Sequence, residues 1–198
     1  MSYQTLKRAV TARLAIKKSD FITYAYPVAS REDAMFHVEQ LRDQYADARH
    51  HCWAYIIGDP NNTTSAGFDD DGEPNGTAGR PILNVLQHKS IGNVIIVVVR
   101  YFGGIKLGAG GLTRAYAGAA QAAVDEMTLS PYVPMLQVQI LAEFATEAQC
   151  RYVVESLNGK IDDVAYSKQV TLTVTLAEAD IEGLKERLAM DGRVLDKP

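Results

Sequence analysis

Two stretches of the 198-residue sequence have residue types and spacing that could do chemistry. Asp69 to Pro81 reads DDDGEPNGTAGRP, and Gly103 to Gly111 reads GGIKLGAGG. A run of acids can hold a cation. A glycine-rich turn entering a helix can hold an anion, because the backbone approaches closely and free N–H groups point at it. Arg100, Lys106 and Arg114 flank the glycine stretch and could add charge-assisted contacts, with Thr77 and Arg80 beside the acids. Neither common nucleotide fingerprint is complete. Gly103 and Gly108 have the Walker separation, but Ala109 stands where lysine is required. The dinucleotide pattern begun by Gly108 and Gly110 meets Thr113 where its last glycine belongs. Gly103, Gly104, Gly108, Gly110 and Gly111 therefore read in two ways, as an anion cradle or as an aid to tight strand-to-helix packing.

The acids do not form a calcium loop. Asp69 and Asp71 alternate, but Gly72 comes fourth and no bidentate glutamate follows at the required distance. Magnesium needs only one or two carboxylates beside a substrate phosphate, so it stays compatible with the pattern. The structural reading has Asp70, Asp71 and Glu73 capping backbone N–H groups or pairing with Arg80 and Arg100. His50 and His51 are neighbours on a predicted strand and face opposite ways, so they cannot ligate one ion together. By the same alternation His51 is badly placed to activate Cys52 as a nucleophile. No metal site and no catalytic triad emerges.

The elements that must position these groups follow from periodicity. Leu6 to Val28 reads as a hairpin turning near Lys17-Lys18-Ser19-Asp20. Ser30, with Asp33 three residues on, opens a helix whose Met35, Val38, Leu41 and Tyr45 recur on one face. A strand over Arg49 to Gly58 leads into DPNNTTSAG, which reads as a polar turn. Gly76 to Ser90 reads as a turn entering a short helix with Pro81 in its first turn. Val94 to Val99, VIIVVV, is the pattern of a strand covered on both faces, and the alanine-rich Leu112 to Met127 is a helix able to pack closely on a sheet. After Pro131 and Pro134 the order is strand, helix, strand, strand, helix, with a last strand near Arg193. We expect an α+β protein of two domains, residues 1–131 and a ferredoxin-like βαββα domain at 132–198.

Bulk properties narrow the partners. With net charge −4, no global basic field advertises nucleic acid. Residues 1–131 carry 13 basic and 13 acidic side chains, and residues 132–198 carry 7 and 11. An anion-binding surface must therefore be local, and the first domain is the place for it. Cys52 and Cys150 lie too far apart for a ligand motif, and no signal peptide or membrane-length apolar run is visible. A cytoplasmic, membrane-free protein is expected, with a monomer as the simplest oligomeric state.

Asp47–Tyr55 (DARHHCWAY), Asp70–Pro81 and Val97–Tyr116 (VVVRYFGGIKLGAGGLTRAY) together resemble the signature blocks of the IMPACT/YigZ family. The resemblance implies a ribosomal protein S5 domain 2-like fold for the first domain, shared with translation factors and small-molecule kinases. For the second it implies a small module resembling an elongation-factor G domain. Eukaryotic relatives regulate translation by competing for the activator of an initiation-factor kinase. They do so through an added N-terminal domain that has no counterpart here, so that partner is not carried over. The expectation is a non-enzymatic, translation-associated protein contacting RNA or a ribosomal factor, without cofactor. The alternative is an enzyme that binds a phosphorylated or nucleotide ligand on the glycine loop, with magnesium on the acids. A surface that only docks protein is the third.

Overall fold

The computed structural model describes residues 3–196, which divide into two compact units between Tyr132 and Val133. The first unit is built on a five-stranded antiparallel sheet. Its strands are β2 (Val10–Ile16), β3 (Ser19–Pro27), β4 (His50–Asp59), β5 (Asn62–Asp69) and β7 (Val94–Tyr101), in the order β2-β3-β7-β4-β5. Short strands β1 (Gln4–Leu6), β6 (Ile91–Gly92) and β8 (Leu129–Pro131) form a separate three-stranded sheet. Helices α2 (Gly79–His88) and α3 (Ala109–Asp125) pack on one face of the large sheet, and α1 (Arg31–Gln44) on the other.

This two-sided cover explains the continuous apolar run of β7. Val94 to Val99 are all fully buried, alternating between the core under α2 and α3 and the core under α1. Each such side chain contributes roughly 1.5–3 kcal/mol by leaving water. Alternation likewise sends Cys52 and Ala54 to the α2/α3 side and Trp53 and Tyr55 to the α1 side. Helix α1 starts where the sequence predicts: Ser30 Oγ accepts the Asp33 N–H at 3.1 Å, and Asp33 in turn accepts the Ala29 N–H.

Two elements differ from expectation. Asn62–Asp69 is an edge strand rather than a loop, paired to β4 from Trp53 to Asp59. Its polar residues hide the strand from a hydrophobicity reading, because this edge has no apolar cover to select buried side chains. Helix α3 starts at Ala109, three residues before the predicted Leu112, so part of the glycine stretch is helical. Glycine's poor helix propensity conceals that first turn.

The second unit is a four-stranded antiparallel sheet. Strands β9 (Met135–Ala142), β10 (Lys160–Tyr166), β11 (Val170–Ala177) and β12 (Gly192–Asp196) lie in the order β10-β11-β9-β12. Helices α4 (Glu147–Ser156) and α5 (Ile181–Arg187) share its apolar core. This is the ferredoxin-like βαββαβ order, the last strand included. The whole chain is mixed α+β. Among the described residues no helix is long and apolar enough to cross a membrane.

Candidate functional site

The acid stretch is consumed by its own turn. The Asp70 carboxylate accepts backbone N–H groups from Gly76 at 2.7 Å, Ala78 at 2.9 Å and Gly79 at 2.8 Å. It therefore supplies the anion that the start of α2 needs, where Ala78 has no side chain to offer. Asp71, in the left-handed region at φ 40°, accepts from the Arg42 guanidinium at 3.0 Å and from the His51 N–H at 2.6 Å. Its carbonyl lies 2.9 Å from His50 Nδ1. Thr77 donates its hydroxyl to the Pro74 carbonyl, and Asp69 accepts the Asp71 N–H.

Glu73 reaches inward. Its Oε1 lies 2.5 Å from Arg100 Nη1 and 2.7 Å from the Tyr116 hydroxyl, with both charged side chains buried. The Tyr116 hydroxyl is also 3.3 Å from Cys52 Sγ. Burial pushes both the Tyr116 phenol and the Cys52 thiol far above their ordinary values, so neither is an available nucleophile or base at neutral pH. Among the described residues no three acids, histidines or cysteines are grouped to hold a metal ion.

His51 lies on the opposite, α1-facing side from Cys52, and burial lowers its imidazole pKa against an opposing pull from Asp71; Arg42 also lowers it. The folded chain thus refuses a proton that the unfolded chain accepts near pH 6.5. Stability is expected to fall as pH drops through that range. Urea midpoints at pH 7.5 and 5.5 check this: the decrease should shrink in His51→Gln, and an unchanged decrease would assign it to other groups.

The glycine stretch is only partly about packing. Gly103 lies against the β2–β3 turn, where an added Cβ would sit 1.9 Å from the Lys18 carbonyl oxygen. Gly108 is the N-cap of α3 at φ 72°, with no side-chain cap, and the first turn contains no acid. At Gly110 an added Cβ would meet only the end of Arg114, at 3.6 Å. Packing alone does not ask for glycine there.

The two stretches converge on one groove of about 320 Å³. Glu73 and Pro74 of the first stretch and Lys106, Leu107, Gly108 and Ala109 of the second line it together with Arg49, His50, Arg100, Phe102 and Leu112. Strand register is the cause, since β4 and β7 pair His50 opposite Arg100. A second depression of about 260 Å³ shares Arg49, His50, Arg100 and Phe102 with the first. Arg49 and Lys106 form neither salt bridge nor side-chain hydrogen bond among the described residues.

Other candidates lie elsewhere. Arg114 and Gly111 line a separate depression with Lys17. Arg80 is stacked over Phe68, at 5.8 Å, rather than paired with the acids. Thr77 is buried and engaged, Gly103 is structural, and Gly104 at φ 83° and Gly110 do not line the groove. The sequence reading missed Arg49, Phe102 and Tyr116. Phe102 was within reach, because it follows Arg100 by two residues and so shares its face.

The comparisons with known proteins cover both units. Residues 17–124 match the family model described as Impact N-terminal domain, and residues 140–189 match a Domain of unknown function (DUF1949). IMPACT family member YigZ of Escherichia coli (strain K12) is 38% identical over 180 residues, which is 91% of this chain and 88% of that protein. A crystal structure of an hypothetical protein superposes with a TM-score of 0.76 at 35% identity, covering 100% of this chain and 98% of the other. The two-domain translational regulator Yih1 matches 63% of this chain and 47% of its own, at 29% identity and a TM-score of 0.35.

Proposed function

This chain belongs to the IMPACT family, and from that premise we propose that it is a non-enzymatic, translation-associated binding protein whose groove takes RNA backbone phosphates. The translational part comes from the family, whose eukaryotic members the sequence resemblance identifies as translation regulators. The phosphate part rests on one observation. Among the described residues Arg49 and Lys106 have no partner beside the bare N-terminus of α3, while Glu73, the acid lining the groove, is paired with Arg100. Free N–H groups, the helix dipole and two cations then act on one space. The even charge count of residues 1–131 conceals this, because Asp70, Asp71 and Glu73 are spent internally.

The catalytic alternative needs a carboxylate free to hold magnesium. Glu73, the acid that lines the groove, is buried against Arg100 and Tyr116. That pairing favours binding over phosphoryl transfer, and no cofactor forms part of the proposal.

Fluorescence anisotropy with a labelled RNA hairpin carrying a single-stranded tail tests the proposal at low salt. Arg49→Glu with Lys106→Glu is expected to weaken binding by about tenfold or more and to flatten the salt dependence by about one unit of log–log slope per removed cation. Arg114→Ala, which lies outside the groove, should stay within about twofold. Arg100→Ala is unsuitable because it strands Glu73 in the interior. Equal affinity in the wild type and the double variant would refute the site.

A further inference from the structure

Phe102 is 54% exposed immediately beside the groove. Exposure alone is ordinary, and Phe36 and Phe144 share it; what sets Phe102 apart is that it lines a groove with Arg49, Arg100 and Lys106. Its ring lies 5.7 Å from the Arg100 guanidinium carbon, and the Phe21 ring lies 5.5 Å from the same atom. The guanidinium therefore has an aromatic ring near it on either count, with Phe21 buried and Phe102 open to solvent. Arg100 is itself only 5% exposed, and it lines both depressions. Its Nη1 serves Glu73 and its Nη2 reaches Ser19 at 3.4 Å, but its Nε–H has no acceptor among the described residues. A buried guanidinium N–H without an acceptor is costly to leave unmade.

These features ask for a ligand with two parts: an anionic group for the α3 N-terminus, Lys106 and Arg49, and a flat apolar face for Phe102. A phosphate joined to a nucleobase has both. Building on the proposed phosphate groove, we infer that the site takes one unpaired nucleotide, with its phosphate at the start of α3 and its base stacked on Phe102. The neighbouring depression shares Phe102 and Arg49 and is also lined by Asp47 and Tyr101. A base held in a duplex has its faces covered by its neighbours and cannot use the ring. The groove therefore selects single-stranded over double-stranded RNA, or a free nucleotide with the same chemistry.

The test compares a 12-nucleotide single strand of oligoadenylate with a blunt 12-base-pair RNA duplex, and adds AMP and inorganic phosphate as competitors. The wild type should bind the strand about tenfold more tightly than the duplex. Phe102→Ala should lose about that factor on the strand and none on the duplex, and Phe102→Trp should restore it. AMP should displace the strand better than inorganic phosphate does, and only while Phe102 is present. Displacement by AMP at concentrations below those of the strand's nucleotides identifies a free nucleotide as the occupant; the reverse identifies the strand. Either result with Phe102 dependence supports the inference. A folded Phe102→Ala protein that binds strand and duplex as the wild type does overturns it. If the Arg49/Lys106 variant still loses binding in that case, the phosphate groove stands alone; if the wild type binds no RNA and no AMP, both fail.

Discussion

Replacing Glu73 by alanine is expected to destabilise the first domain by about 3–5 kcal/mol. The residue sits in an acidic loop, where a solvated side chain would cost only about a few tenths of a kcal/mol. The structure reverses that. The Glu73 carboxylate is 4% exposed, the Arg100 side chain 6%, and their atoms lie 2.5 Å apart. Removing the acid leaves a guanidinium in the interior among Phe21, Ser19 and Tyr116 with no counter-charge. Desolvating a charge costs several kcal/mol, and only the partner offsets it. Glu73→Gln should lose less, since its amide oxygen can still accept from Arg100 and Tyr116. Joint replacement of both residues by apolar ones should recover much of the loss, because no charge is then stranded. Urea unfolding of the single and double variants gives the coupling energy. Single-variant losses below about 1 kcal/mol would show that water reaches the pair.

The second large effect is at Asp70. Its Oδ1 accepts the N–H groups of Ala78 and Gly79, both in buried residues, and its Oδ2 accepts that of Gly76. In Asp70→Ala those donors have no partner, and each unsatisfied buried group costs about 1–3 kcal/mol. A total near 2–4 kcal/mol is expected, with the loss concentrated at the start of α2. Asp70→Asn keeps the Oδ1 role but sets an NH2 donor against the Gly76 N–H, so with the lost charge it should cost about 1–2 kcal/mol. Hydrogen exchange at Ala78 and Gly79 separates local from global loss: protection should fall there first in Asp70→Ala. Equal protection in the two proteins would mean that water or another residue takes over the cap.

Much of this architecture was legible in the sequence, and the reasons differ by element. The run from Val94 to Val99 announces a strand covered on both faces because only apolar side chains survive there. The capped start of α1 is local chemistry, complete within Ser30 to Asp33. Edge strand β5 was not legible, because its polar residues carry no burial signal. The capping by Asp70 and the Glu73–Arg100 pair fall within the structural reading of the acids, but Arg42 as the partner of Asp71 was out of reach. Arg42–Asp71 spans 29 residues and links helix α1 to the acid turn, a contact that only the tertiary fold makes. The register of β4 on β7 opposes His50 to Arg100 and sets Arg49 at the groove, where a lone arginine before a strand had no special mark. The acid run is a helix cap and an ion pair, as its structural reading has it.

The most direct test of the proposed groove is a backbone-amide NMR titration of the folded protein with the 12-nucleotide single strand at low salt. Occupation of the groove predicts large, saturating shifts at Leu107, Gly108 and Ala109, with smaller ones at Arg49 and Phe102. It predicts little change at Gly76, Ala78 and Gly79, whose N–H groups already belong to Asp70. Shifts confined to the Asp70 turn or to the second domain, with the α3 N-terminus silent, would contradict it.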